Sequence, residues 1–126
     1  MNSSIYLRCT PYSVGGFAVS NEFAFNMYSR NLNLFAKDFN NSDKYSIYFL
    51  RVEKGFKPPN VLDKKTRTMM LLNNNIFEPL KYNFIPHKNP GLVTVEFETN
   101  KDVSRFSDFS KKYITYIAII EKRSDI

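Results

Sequence analysis

Tryptophan and glutamine are absent from this 126-residue chain, and cysteine and histidine occur once each, as Cys9 and His87. A single cysteine excludes an internal disulfide and fits a reducing compartment; Cys9, in an apolar-alternating stretch, reads as an inert, half-buried thiol. His87 stands in the proline-flanked loop 86–90 with no Cys, Asp or Glu beside it. It reads as a surface imidazole, with no triad to join and no second soft ligand for zinc. Glycine is scarce, and Gly15-Gly16 belongs to neither GxGxxG nor GxxxxGK(S/T). The longest aliphatic run, 117–120, falls far short of the ~20 residues of a membrane span. The opening Met1, Asn2, Ser3 and Ser4 has neither the basic nor the apolar part of a secretory leader. These absences predict a chain that is not an enzyme, holds no cofactor or metal, engages no membrane and works in a cytoplasm, the host's if the source is viral.

What is present points to a folded unit. Twelve Phe and eight Tyr are too many aromatics for a solvated coil. The length suits one domain, 1–126, with a real core. Asn occurs 14 times beside abundant Lys, Phe, Tyr and Ile, the bias of AT-rich coding in a bacterium, phage or large virus.

Eighteen Lys and Arg against twelve Asp and Glu give a net charge of +6. The excess is concentrated in residues 51–90, where eight cations (Arg51, Lys54, Lys57, Lys64, Lys65, Arg67, Lys81, Lys88) face three acids (Glu53, Asp63, Glu78). Six of these cations, Arg51, Lys54, Lys57, Lys64, Lys65 and Arg67, fall in one short stretch with Phe49, Phe56 and Tyr82 around it in sequence. Lys and Arg neutralise phosphates, and aromatic faces stack on unpaired bases, so these six are the candidate nucleic-acid contacts. A merely solvated basic surface is the bland alternative. Glu96, Glu98 and Asp102 form a weaker, second constellation that suits a hard cation such as Mg²⁺; a solvated strand end with a capping acid is the preferred reading, since one strand rarely supplies a full site.

The chain echoes itself. Segments 44–55 and 112–123 agree at five of twelve positions: Lys44/Lys112, Tyr45/Tyr113, Tyr48/Tyr116, Glu53/Glu121 and Lys54/Lys122. Both are rich in β-branched and aromatic residues and read as strands. A helical pattern precedes each, over 22–39 and 101–112, and a short strand opening on Gly precedes that, at 16–19 and 91–97. Ser20 is a candidate N-cap for the first helix, with Ala24, Tyr28, Leu32, Phe35 and Phe39 as its apolar stripe. The same segment also alternates over 17–25, compatible with a hairpin turning at Ser20-Asn21; the helix is the preferred reading. Thr99 to Asp102 resemble a capping box for the second helix, with Val103, Phe106 and Phe109 facing inward.

Between the units, 66–82 reads as a hairpin over the turn Asn73-Asn74-Asn75, with Pro79 confining its strand to an edge. The predicted fold is α+β: a ferredoxin-like split βαβ arrangement of duplicated βαβ units with both helices on one face, an inserted hairpin at about 60–85 and an extra N-terminal strand.

The order of strand, Ser20-Asn21-Glu22, aromatic helix and basic-aromatic strand resembles the small transcription regulator of phi29-like phages. Residues 20–28 and 37–39 carry the likeness, and 93–97 with the helix after it is similar in a looser way. The resemblance implies a homodimer that binds curved DNA through basic N-terminal arms and contacts RNA polymerase through a basic tail. This chain departs at both places, with only Arg8 near its start and Lys122-Arg123-Ser124-Asp125-Ile126 at its end. The functional expectation is a small regulatory protein of phage or viral origin that binds DNA or RNA without catalysis, with a homodimer as its candidate assembly. The alternative is a protein–protein module, a host-factor inhibitor or virion assembly part, using the open sheet face.

Overall fold

The two echoing segments are strands, as their β-branched and aromatic content requires: β3 (Tyr45–Glu53) and β7 (Tyr113–Glu121). A computed structural model describes residues 4–12, 22–57, 62–107 and 111–122. The expected strand at 16–19, the Ser20 cap and the alternative turn at Ser20-Asn21 lie outside them. The other strands are β1 (Ser4–Tyr12), β2 (Glu22–Tyr28), β4 (Ile76–Phe77), β5 (Lys81–Pro86) and β6 (Leu92–Glu98). Two helices, α1 (Ala36–Phe39) and α2 (Lys64–Leu72), and 3-10 turns at Leu32–Leu34 and Ser104–Ser107 complete an α+β fold. The strands form one sheet in the order β4-β3-β7-β1-β2-β6-β5, and every neighbouring pair is antiparallel.

The duplication exists, in a different form from the one expected. Tyr45 lies opposite Glu121 and Glu53 opposite Tyr113, so the echoing segments pair with each other about a local two-fold axis. The backbone N–H of Lys54 donates to Lys112 and that of Lys122 to Lys44, both at 2.7 Å. β2 and β6 repeat the relation, with Glu22 opposite Glu98 and Tyr28 opposite Leu92. Each unit is therefore a strand, a short helical link and a second strand, and it exchanges both strands with the other unit. In a split βαβ unit the two strands run parallel with one strand of the other unit between them. Here two strands, β7 and β1, separate β2 from β3, and the successive antiparallel pairings leave β2 and β3 antiparallel, so the sheet does not show the ferredoxin-like arrangement.

The sheet rolls into a half-barrel. β1 joins its halves: Ser4 to Arg8 pair with β7, and Cys9 to Tyr12 pair with β2. β3 and β6 stand four strand spacings apart, about 19 Å in a flat sheet. Yet the rings of Phe49 and Phe97 are 4.4 Å apart at their centroids. Phe25, Phe77 and Phe106 extend this aromatic cluster. The links close the roll from opposite ends. Residues 32–39, following β2, contribute Leu32, Ala36 and Phe39 to the core; 103–106, following β6, contribute Val103 and Phe106.

The helices expected at 22–39 and 101–112 are thus corrected. Over 22–28 the period-two pattern wins, because Phe25 and Met27 point into the roll and the strand has partners on both edges. Near 101, Thr99 Oγ1 accepts from the Lys101 N–H and Asp102 Oδ1 from that of Ser104, and these local bonds favour tight turns over a helix. Val103 and Phe106 are buried as expected; Phe109 lies outside the described residues. Neither link lies on a sheet face. The N-terminal strand is present as β1, but Cys9 is fully buried rather than half-buried, and burial raises its thiol pKa well above the usual value.

The hairpin expected at 60–85 is also corrected. Asp63 accepts from the Thr66 N–H and caps α2, and Asn74, at φ 57°, ends it in the left-handed region. β4 and β5 then become the two opposite edges of the sheet. Extending the β3–β4 register places Pro79 opposite Ile47, and proline has no N–H to continue the ladder, so β4 stops at Phe77. α2 lies outside the roll, where Leu62 and Met70 meet Leu50, Val52, Ile114, Ala118 and Tyr116 in a second, smaller cluster.

Phe49→Ala is expected to cost about 3–5 kcal/mol, the range for deleting a buried aromatic ring. A urea midpoint that shifts by the equivalent of less than ~1 kcal/mol would contradict the central place of this ring. Acid should weaken the fold through Asp38 and Asp63. Hydrogen bonds from Tyr45 and then Lys44 hold the Asp38 carboxyl below its ordinary 3.8, and the Thr66 N–H does so for Asp63. A depressed carboxyl stabilises above its unfolded value and loses that contribution as pH falls through its folded one. The urea midpoint should therefore drop below about pH 4, and less steeply in Asp38→Asn/Asp63→Asn; an equally steep drop in that variant would refute the assignment.

Candidate nucleic-acid interface

Arg51 is the only one of the six candidate cations that points to the inner side of the sheet, at the end where 103–106 closes it. Its guanidinium lies 3.7 Å from the centroid of the Tyr113 ring, and its Nε donates to the Arg105 carbonyl at 3.0 Å. The backbone N–H donates to Asn75, which ties the end of α2's turn to β3. Arg51 is therefore held in place by the fold.

After β3 the chain turns at once. The Phe56 N–H donates to Glu53, and Gly55 sits at φ 97°, where a side chain would be strained. This turn carries Lys54, Phe56 and then Lys57 outward, all exposed. The Lys54–Lys112 bond brings Lys111 and Lys112 to the same end, and the Arg51–Arg105 bond brings Arg105. The cationic end is thus assembled from two distant stretches of chain. A groove of about 560 Å³ opens there between Arg51, Val52, Phe56, Met70, Asn75 and Tyr113. A second, of about 360 Å³, lies beyond Asn74 among Leu71, Val103, Phe106, Lys101 and Arg105.

Lys64 and Lys65 are not brought to this end. They open α2, whose last turn reaches Asn75, and a nine-residue helix is ~13 Å long. Both are exposed. Arg67 stands apart again: half-buried, it donates from Nη1 to Tyr48 Oη at 3.2 Å, its guanidinium 5.6 Å from that ring. The structure gathers Arg51, Lys54 and Lys57, separates Lys64, Lys65 and Arg67, and adds Arg105, Lys111 and Lys112. Charge counted along the chain missed these three, since residues 91–126 are neutral as a block. The echo held the signal, because antiparallel pairing of 44–55 with 112–123 puts Lys112 beside Lys54.

The acidic constellation does not assemble. Glu96 and Glu98 lie along β6, while Asp102 Oδ1 accepts from the backbone and hydroxyl of Ser104. Among the described residues no group of three His, Cys, Asp or Glu gathers as a metal site. His87 is half-buried rather than a free surface imidazole. Its Nε2 is 2.6 Å from Thr94 Oγ1, whose hydroxyl donates to Asn26 Oδ1. No described helix is long and apolar enough to cross a membrane.

Comparison with protein-family models, curated proteins and solved structures finds no match for this chain.

Gly55→Ala tests whether the turn presenting Lys54 and Phe56 is held by backbone conformation. Nothing lies within 4 Å of an added Cβ, so any loss comes from the positive φ alone. The expected cost is about 1–2 kcal/mol by chemical denaturation; an unchanged midpoint would mean the turn adopts another conformation freely.

Proposed function

We propose that this chain is a small non-catalytic regulatory protein that binds nucleic acid through the cationic end of the β3–β7 pair. The observation that carries the proposal is convergence: Arg51, Lys54 and Lys57 from one stretch meet Arg105, Lys111 and Lys112 from another. Glu53 and Asp102 are the described acids nearest them in sequence, so positive charge dominates and suits a phosphate backbone. The coding bias fits an AT-rich bacterium, a phage or a large virus, and a phage or viral source would place the protein in a host cytoplasm. Regulation without catalysis is also what the resemblance to the phi29-like regulators implies, here with phosphate contacts moved from terminal arms to the end of the sheet. The protein–protein alternative relied on an open sheet face. It receives less support, because the inner face is filled and α2 covers part of the outer one.

Fluorescence anisotropy with labelled DNA and RNA oligonucleotides across about 50–200 mM salt tests the proposal. Each phosphate contact adds ~0.7 (single strand) to ~0.9 (duplex) to the slope of log K against log salt. Lys54→Ala/Lys111→Ala/Lys112→Ala should flatten that slope by about 2–3, and Lys64→Ala/Lys65→Ala should change it less. Absence of salt-sensitive binding, or a slope the triple variant leaves untouched, would reject the proposal.

A further inference from the structure

We infer that the nucleic acid bound at this end is single-stranded, with an unpaired base entering the groove between Phe56, Met70 and the Arg51–Tyr113 stack. The inference rests on the nucleic-acid reading above and narrows its ligand. Charge alone fits any phosphate backbone; the shape and chemistry of the groove are what discriminate. A duplex keeps its bases stacked and offers a protein only their edges and a convex ridge of phosphates. A concave groove of about 560 Å³, where Phe56, Met70 and Tyr113 alternate with Arg51, Glu53 and Lys54, has no counterpart on that surface. An unpaired strand leaves both faces of each base free, and those faces stack on aromatic rings and planar guanidinium groups.

Both kinds of stacking surface are present. Phe56 is 36% exposed at the groove rim, on a turn held by Gly55. The Arg51 guanidinium lies over the Tyr113 ring, a planar cation that the Arg105 carbonyl holds in place. Asn75 adds an amide for base edges. The groove beyond Asn74 has Leu71 and the buried Phe106 in its floor and Lys101, Asp102 and Arg105 at its sides. Leu72, 79% exposed, and Met69, 57% exposed, stand on the adjacent last turn of α2. Apolar side chains left bare beside cations suit a ligand with both phosphates and apolar flat faces.

The test compares a labelled oligothymidine with a duplex of equal length at ~0.1 M salt. One stacked base is worth enough to favour the single strand by about tenfold. Phe56→Ala should weaken single-strand binding by about 5- to 150-fold, the range for one base–aromatic stack. Phe56→Trp should preserve it. The salt slope should stay unchanged in both, because no charge is removed. Phe56 is partly exposed and outside the core clusters, so the variants keep their fold, which thermal unfolding checks. Equal affinity for duplex, a neutral Phe56→Ala, or displacement of the strand by polyglutamate as readily as by unlabelled oligothymidine would overturn this inference. Those outcomes leave salt-sensitive polyanion binding intact; loss of all binding would overturn both readings.

Discussion

Contact between Phe49 and Phe97 is the constraint on which the rest of the structure depends. The two rings belong to strands that a flat sheet would hold far apart, so their contact requires the sheet to roll. Rolling turns one sheet face into an interior and sends the alternate residues outward. It also opens two ends, and the chain fills them with the links that follow β2 and β6. Arg51 gains its place in the same way. It sits one turn of the pleat beyond Phe49 on the inner side, where the roll ends and water begins. A cation at that boundary can lie over the Tyr113 ring and keep its charge wet.

The local two-fold axis explains why charge gathers where it does. A strand that pairs antiparallel with its own echo places the start of one copy beside the end of the other. Both copies begin with Lys-Tyr and end with Glu-Lys, so each end of the β3–β7 pair receives two lysines. The ends then diverge. At one, Lys44 bonds Asp38 at 3.1 Å and Lys122 Nζ donates to Ser42, so both cations are engaged. At the other, Lys54 and Lys112 stand among Arg51, Arg105 and Lys111, with grooves opening beside them.

Much of the strand content was legible because its signal is local. Residues 45–53 and 113–121 carry β-branched and aromatic side chains throughout, and 92–98 alternates around Val93, Val95 and Phe97. The short helical links were overread. Leu32, Phe39, Val103 and Phe106 are buried as a helical stripe would have them, but a 3-10 turn or a single helical turn buries residues three or four apart just as well. Tyr28 and Phe35, which completed the first stripe, are exposed. α2 was missed for the opposite reason: Thr66, Thr68 and the Met and Leu after them look strand-like, and the decisive signals were Asp63 in front and Asn74 behind. Of the candidate site, Arg51, Lys54 and Lys57 were readable as a run. Lys111, Lys112 and Arg105 required knowing which strand pairs with which, information that no single stretch of chain contains.

β7 is the last of the described strands in chain order, and it lies between β1 and β3 in the sheet. Ser4 finds its partner at Ile120, so this half of the sheet joins residues from opposite ends of the described chain. Such pairing carries a large loop-closure cost before any contact rewards it, which slows folding. During synthesis β1 and β3 must wait, each with an apolar strand edge unpaired, until β7 has left the ribosome. Leu7, Ile47 and Phe49 are exposed to other chains over that interval. Yield from a cell should thus depend more on how the nascent chain is sheltered than on how stable the finished fold is.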